Sequence, residues 1–240
     1  MRTIGIMTDV HANLPALDAA LTLLAELGVQ EIVHTGDAIG IGPFPAETLS
    51  RLLAVPGIRF VMGNHDALFA HGLPDPRPAW MDAGEAAHQT WVHAQLDPSL
   101  REVVVAWPWA IEETIHGVRV RWQHYALADA GDGFASIVPE PDADQLDALF
   151  GATSTDVVCF GHHHPPMDRV GTSGVRYVNP GALGASRDDR ARVAVLTVAD
   201  DGAWSIAHHA AAYDAAPVLA ALEERAVPER ELIRSAFYGR

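Results

Sequence analysis

A chain of 240 residues with 49% hydrophobic and 20% charged residues has the composition of a folded globular protein with a sizeable core. Its formal net charge of -15 excludes non-specific nucleic-acid binding, because no Lys/Arg cluster could track a phosphate backbone. The single cysteine, Cys159, excludes an intramolecular disulfide framework, and no apolar run approaches the ~18 residues of a membrane span. Asp9 and His11 interrupt what would be the apolar part of a signal peptide, so a cytoplasmic protein is expected.

Residues 2–8 read as a first strand, apolar with little alternation and so buried on both faces. After Asp9-Val10-His11-Ala12-Asn13 comes a helix with Leu17, Leu21 and Leu24 on one face, Pro15 in its first turn and Gly28 as its stop. A second strand near 31–35 runs into Gly36-Asp37-Ala38-Ile39-Gly40-Ile41-Gly42-Pro43. A short helix at about 45–54 and a third strand at 58–62 follow, the strand ending in Gly63-Asn64-His65-Asp66. This βαβαβ alternation marks an α/β layer with a mainly parallel sheet. From 67 to 108 the pattern changes: 72–80 is Pro-rich, 85–96 has helical spacing, and Trp80, Trp91, Trp107 and Trp109 fall in or beside the stretch. We read it as a helical cap insertion over the site, with an outer helix packed on the sheet as the alternative. The second half is richer in strands, at about 110–116, 118–124, 156–160, 166–171, 175–178, 192–198 and 203–209. A helix is expected at 142–150, and a helical tail over 214–238 is divided by Pro228. With no internal repeat or low-complexity linker, one domain over 1–240 is expected.

Five of the apolar runs end in polar ligand groups: Asp9 and His11, Asp37, Asn64 with His65 and Asp66, His124, and His162 with His163 and His164. In α/β folds the C-terminal edge of the strands is where ligands bind. Two carboxylates (Asp9, Asp37), one amide (Asn64) and four imidazoles (His11, His124, His162, His164) form a set suited to two divalent ions such as Mn, Fe, Zn or Co. The outer residues of Asp9-Val10-His11 and of His162-His163-His164 are two apart, so extended backbone would point each pair to one side. Such a pair can serve one ion or straddle two. Gly36, Gly63 and Gly161 precede ligands, where a sharp turn asks for positive φ or close backbone approach. Any single Asp after a strand is more often a turn or cap residue. It is the joint occurrence that points to a metal site. His34 reads as a core histidine, and His71, His88, His93, His116, His208 and His209 as exposed or edge residues. His163 is expected to point away from the metals and at most to line the pocket. Arg77, Arg187 and Arg190 could meet a phosphate, but exposed loop arginines are more often merely solvated, and none is assigned to the site.

The set Asp9-x-His11, Gly36-Asp37-x-x-Gly40, Gly63-Asn64-His65-Asp66, His124 and Gly161-His162-x-His164 resembles, in order and spacing over residues 1–190, the calcineurin-like metallophosphoesterases. The segment from Asp9 to Leu17 and Asn179-Pro180-Gly181-Ala182-Leu183-Gly184 are similar to the small bacterial phosphodiesterase branch. The departures are Ala182, where that branch usually has Ser, and Tyr125 after His124, where the family usually has Gly. The resemblance implies a four-layer αββα sandwich with a dinuclear metal centre, manganese favoured, and a bridging hydroxide as nucleophile. By motif, Asp9, His11 and His164 would hold one metal and Asn64, His124 and His162 the other, with Asp37 bridging. His65 would protonate or stabilise the leaving oxygen, oriented by Asp66.

The chemistry is consistent with a phosphoester substrate, which is anionic and repels hydroxide. Two cations ~3.5–4 Å apart neutralise the phosphoryl oxygens and lower the pKa of a water between them. A small anionic phosphomonoester or phosphodiester is the expected substrate. A non-catalytic scaffold for protein binding is the alternative; it could lose His65 or several ligands without penalty, and here the set is intact. A metallo-β-lactamase fits poorly, since the sequence has no His-x-His-x-Asp-His cluster.

Overall fold

Side-chain alternation along the first strand sets the layering. In β1 (Arg2–Met7), Ile4 and Ile6 enter a core between two sheets, while Met7 turns to a second core beneath helices. The computed structural model describes residues 1–128, 133–151 and 154–240. Helix α1 (Leu14–Glu26) buries Leu17 and Leu24 in that second core, and its N-cap Asn13 accepts from the Ala16 N–H. β2 (Glu31–His34), α2 (Pro45–Leu53) and β3 (Arg59–Phe60) complete the parallel part of the first sheet, with β1 beside β2 and β2 beside β3. Three helices follow, α3 (Asn64–His71), α4 (Ala83–Gln95) and α5 (Leu100–Val105).

The second sheet contains β4 (Ala110–Ile115), β5 (Val118–Gln123), β6 (Val157–Cys159), β7 (Met167–Val170) and β8 (Arg176–Asn179), in the order β4-β5-β6-β8-β7. Its three central strands are mutually parallel. The chain then returns to the first sheet as the antiparallel pair β9 (Arg190–Val198) and β10 (Trp204–Ala212), giving the order β10-β9-β1-β2-β3. α6 (Ala143–Phe150) covers the outer face of the second sheet, packing Leu146 and Phe150 against Val158, Phe160 and Tyr177. α7 (Ala216–Glu224), α8 (Arg230–Ile233) and a wide π turn, Arg234–Tyr238, pack together around Val218, Leu222, Ile233 and Ile41. The result is the expected α/β sandwich of helices, sheet, sheet and helix.

The inter-sheet layer joins Ile4, Ile6 and Val33 to Val120, Trp122, Val157 and Val178. All ten expected strands form, though β3 pairs over only two residues and β10 runs to Ala212. α3 and α5 were not expected from the pattern. Phe69, Val92, Leu96, Val104 and Trp107 of the 67–108 stretch enter the same core as Leu17 and Leu49, so these helices continue the outer layer of the first sheet. The N-terminal half of α4 does something further: it reaches the ends of β2 and β3, where the polar groups gather.

Candidate metal centre

At the end of β1 the backbone does not stay extended. Asp9, His11 and Ala12 take left-handed φ values of 51°, 47° and 51°, and Asp37 in the neighbouring turn takes 59°. These conformations are held by backbone bonds between the two turns: Asp9 N–H to Gly36 O at 3.0 Å, His11 N–H to Asp37 O and Ala12 N–H to Ala38 O at 3.1 Å. The side chains of Asp9 and His11 therefore converge through a tight turn and not through strand alternation, which corrects the extended-backbone expectation. Gly36, at φ +103°, has no room for a side chain, because a Cβ would lie 2.5 Å from His124 Nδ1. Gly63 and Gly161 do not use positive φ; each lies against a neighbouring turn instead, Gly63 against Asp37 and Gly161 against Thr8.

The second sheet supplies three of the four imidazoles. His124, just past β5, is held by Nδ1–H donating to Thr35 O at 2.8 Å. Its Nε2 then faces Asn64 Oδ1 at 3.0 Å and Asp37 Oδ2 at 3.3 Å. The His162 N–H donates to the Asp9 carboxylate at 3.0 Å, tying the two sheets together at their edges. His164 Nε2 approaches His11 Nε2 at 3.1 Å and Asp9 Oδ1 at 3.9 Å. All seven expected ligands thus meet. Asp9, His11 and His164 offer ligand atoms within 4.8 Å of one another, as do Asp37, His124 and His162. Asp37 also forms such a group with His11 and His65, its Oδ2 lying 3.9 Å from His11 Nε2.

The arrangement fits divalent cations on its own chemistry. Asp9, His11, Asp37 and His124 are essentially buried, and carboxylates and imidazoles face each other with few protons to share. Two imidazole nitrogens 3.1 Å apart cannot both present lone pairs without something positive between or beside them. Without metal, protons take that part. Burial opposes a charge on His124, but the Asp37 and Asp9 carboxylates and the bond to Thr35 O together outweigh it and raise His124 to about 9. His11 is also raised, by Asp9 and Asp37 against burial. Burial would raise Asp9 and Asp37, yet the surrounding imidazoles bring both below the usual carboxylate range. His162 and His164 are lowered by burial to about 4 and offer free lone pairs.

His65 stands at the first turn of α3 beside His11, their rings edge to face at 5.2 Å. The expected pairing of Asp66 with His65 is not the contact made. Both Asp66 carboxylate oxygens accept backbone N–H groups, from Asp37 at 2.7 Å, Ala38 at 3.0 Å and Gly63 at 3.1 Å. Asp66 faces these amides because it sits at the third position of a helix, turned back toward its own N-terminus. It holds the Asp37 turn in place. The group touching His65 Nδ1 is Gln89 of α4, at 2.8 Å. His88, expected at the surface, is buried: its Nε2 accepts from the Ile41 N–H at 3.0 Å, and its Nδ1–H donates to Pro228 O at 3.2 Å. Neither Gln89 nor His88 carries a local sequence signal beyond facing inward with Val92 on α4.

Tyr125 does not intrude on the site. It is buried with Phe150 and Phe160 behind His162, its hydroxyl accepting from the Val138 N–H at 3.1 Å. His34 is in the core as expected, while His163 lines the cavity over the cluster without joining a ligand group. That cavity, about 340 Å³, is also bordered by Asn64, His65, Ile137 and Phe237. A second of about 350 Å³ lies on the other side of His65, between α4 and the C-terminal turns, with Trp80, Glu85 and Leu232 in its wall. Arg77, Arg187 and Arg190 are exposed and border neither cavity. Among the described residues, no helix is long and apolar enough to cross a membrane.

Known proteins share this organisation. A hypothetical protein of Pyrococcus horikoshii has the same fold, with a TM-score of 0.81 at 20% identity over 100% of this chain and 99% of that one. A metallophosphoesterase of Sphaerobacter thermophilus superposes with a TM-score of 0.70 at 25% identity, covering 97% of this chain and 96% of its own. An uncharacterized protein of Methanocaldococcus jannaschii is 26% identical over 200 residues, 77% of each chain. The profile of the calcineurin-like phosphoesterase superfamily domain matches residues 1–201. With that match over most of its length and the Asp/His cluster in the matched region, the chain belongs to the calcineurin-like phosphoesterase superfamily.

Proposed function

We propose that this protein hydrolyses a small phosphoester, most readily a phosphodiester, at a centre of two divalent cations. The observation that carries the reading is the position of Asp37, whose Oδ2 faces His124 on one side at 3.3 Å and His11 on the other at 3.9 Å. One carboxylate shared by two ligand groups is what a dinuclear centre needs. Asp9, His11 and His164 would hold one cation and Asn64, His124 and His162 the other, with Asp37 between them. The cations, of which the family resemblance favours manganese among Mn, Fe, Zn and Co, would neutralise the phosphoryl oxygens and lower the pKa of a water.

The chain's own residues do the rest. Among the described residues, no Lys or Arg borders the cavity over the cluster, so the negative charge of a substrate has no protein cation to meet there. Affinity for the phosphate is thereby made to depend on the metals. His65, which borders both cavities, would stabilise the leaving oxygen with a ring N–H. Space on both sides of His65 accommodates a second ester group, which favours a diester over a monoester. The intact ligand set argues against a scaffold without activity.

The test is Mn2+-dependent hydrolysis of p-nitrophenyl phosphate and bis-p-nitrophenyl phosphate side by side, with Asp37→Ala as control. The expected result is faster turnover of the diester, abolished in the control. Turnover that survives Asp37→Ala, or no turnover of either ester with two metals bound, would count against the reading.

A further inference from the structure

His65 has one hydrogen-bond partner whose chemistry fixes more than its place. The Nδ1 atom lies 2.8 Å from Nε2 of Gln89, a fully buried residue of α4. The same Gln89 nitrogen lies 2.8 Å from Oε1 of Glu85, one helical turn earlier. A carboxylate accepts hydrogen bonds and does not donate them, so the amide must turn its NH2 group toward Glu85. Its second hydrogen then points at His65 Nδ1. That nitrogen is an acceptor, and the proton of the neutral ring sits on Nε2. Gly40 of the loop bearing Asp37, at φ +84°, packs so closely on the ring that a Cβ there would lie 2.5 Å from Nδ1.

The carbonyl of Gln89 is left over by the same orientation. Its Oε1 is buried and has no partner. A buried glutamine oriented by packing alone would turn its oxygen to a donor. This one leaves its acceptor unsatisfied and spends both hydrogens on Glu85 and His65.

We propose that Gln89 is a positioning residue that holds His65 as a neutral imidazole with its N–H, at Nε2, presented to the leaving oxygen; the inference rests on the phosphoester reading above. His65 then acts as a hydrogen-bond donor and not as an imidazolium acid. A proton on Nδ1 would meet the Gln89 N–H head on, and loss of the Nε2 proton would leave an imidazolate. As the oxygen of the attacking water bonds to phosphorus and the ester P–O bond breaks, the electron pair stays on the leaving oxygen, which accepts the Nε2–H hydrogen bond and takes up, through solvent, the proton that the attacking water gives up. A neutral imidazole can stabilise a developing oxyanion in this way.

The test uses the full chain with Gln89→Leu and Gln89→Met, two apolar replacements of similar size, and His65→Ala as reference. In metal-free protein with nitrogen-labelled histidine, NMR should show the His65 ring, identified by its loss in His65→Ala, as the Nε2–H tautomer. Both Gln89 variants should show a mixture of tautomers. Loaded with Mn2+, they should keep metal content and KM but lose about tenfold in kcat on bis-p-nitrophenyl phosphate. The loss should be larger on diphenyl phosphate, whose leaving group is more basic. A purely structural role would slow both substrates equally and leave the tautomer unchanged. A proton on Nδ1 in the wild type, or variants with unaltered tautomer and unaltered leaving-group dependence, overturns the proposal. A wild type inactive on every ester overturns the phosphoester reading instead, and the tautomer measurement still decides for or against Gln89.

Discussion

Asp9-Val10-His11 after β1 and His162-His163-His164 after β6 have the same spacing of outer residues and divide their ligands differently. Asp9 and His11 enter one group together, whereas His162 goes to Asp37 and His124 while His164 goes to Asp9 and His11. The first turn is buried, left-handed at both ligands, and bonded along its length to the turn bearing Asp37. In the second, only His162 is left-handed, and the His164 side chain is 24% exposed. A rigid turn carrying carboxylate faces a looser one whose imidazoles reach to either side of it. Two-residue spacing says that side chains will converge; the opposite sheet decides which group each one joins.

Removing the residue shared by both groups should break this arrangement most completely. Asp37→Ala is expected to lower bis-p-nitrophenyl phosphate turnover by at least roughly a thousandfold and to reduce bound Mn2+ below two equivalents, measured by elemental analysis. Next comes the support beneath the rigid turn. Asp66→Ala strands three buried N–H groups, of Asp37, Ala38 and Gly63, and should destabilise the metal-free protein by about 3 kcal/mol in urea unfolding. A loss under 1 kcal/mol would mean that the Asp37 turn holds itself. The two imidazoles of the looser turn should then separate the centres. His162→Ala and His164→Ala are each expected to leave about one tightly bound metal, with affinity at the other site reduced on the order of tenfold or more. The retained ions should differ in environment, so the manganese EPR spectra of the two variants should not coincide. Coincident spectra would put both histidines on one ion.

The strands and the seven candidate ligands that cluster at their ends could be read from the sequence because both signals are local. A short apolar run reads as a strand without its partners, and a polar group at its end has no packing reason to be there. What escaped were the relations between distant segments. The stretch from Asn64 to His71 is an α-helix, yet its apolar residues do not form the stripe that announces one, and its first turn is occupied by site residues. Asp66, adjacent in sequence to His65, invited a pairing that helix geometry forbids, while the true neighbour, Gln89, lies on a different helix. His88 looked like a surface histidine because nothing near it in the chain reveals the Ile41 N–H that it accepts. The left-handed backbone at Asp9, His11 and Asp37 was equally hidden, since non-glycine residues rarely adopt it unless the surrounding structure compels them.

The smallest effect concerns the strand behind the rigid turn. His34, at the end of β2, is fully buried and its Nδ1 accepts the Gly36 N–H at 3.2 Å, so the bond requires a neutral ring. Burial lowers its pKa from 6.5 to about 4. Between these values the unfolded chain binds a proton that the folded one does not. The stabilising contribution is therefore complete above about pH 6.5 and is lost as pH falls toward 4. For one such group the loss between pH 7 and pH 5 is on the order of 2 kcal/mol. His34→Asn keeps an acceptor near the same place but has nothing to titrate. Metal-free His34→Asn should lose less stability than wild type between those two pH values in urea titrations, because every other histidine titrates in both proteins and cancels. Equal losses in the two would show that His34 binds its proton alike in the folded and unfolded chain, and that the rigidity of the first turn comes from Asp66 and the backbone pairing alone.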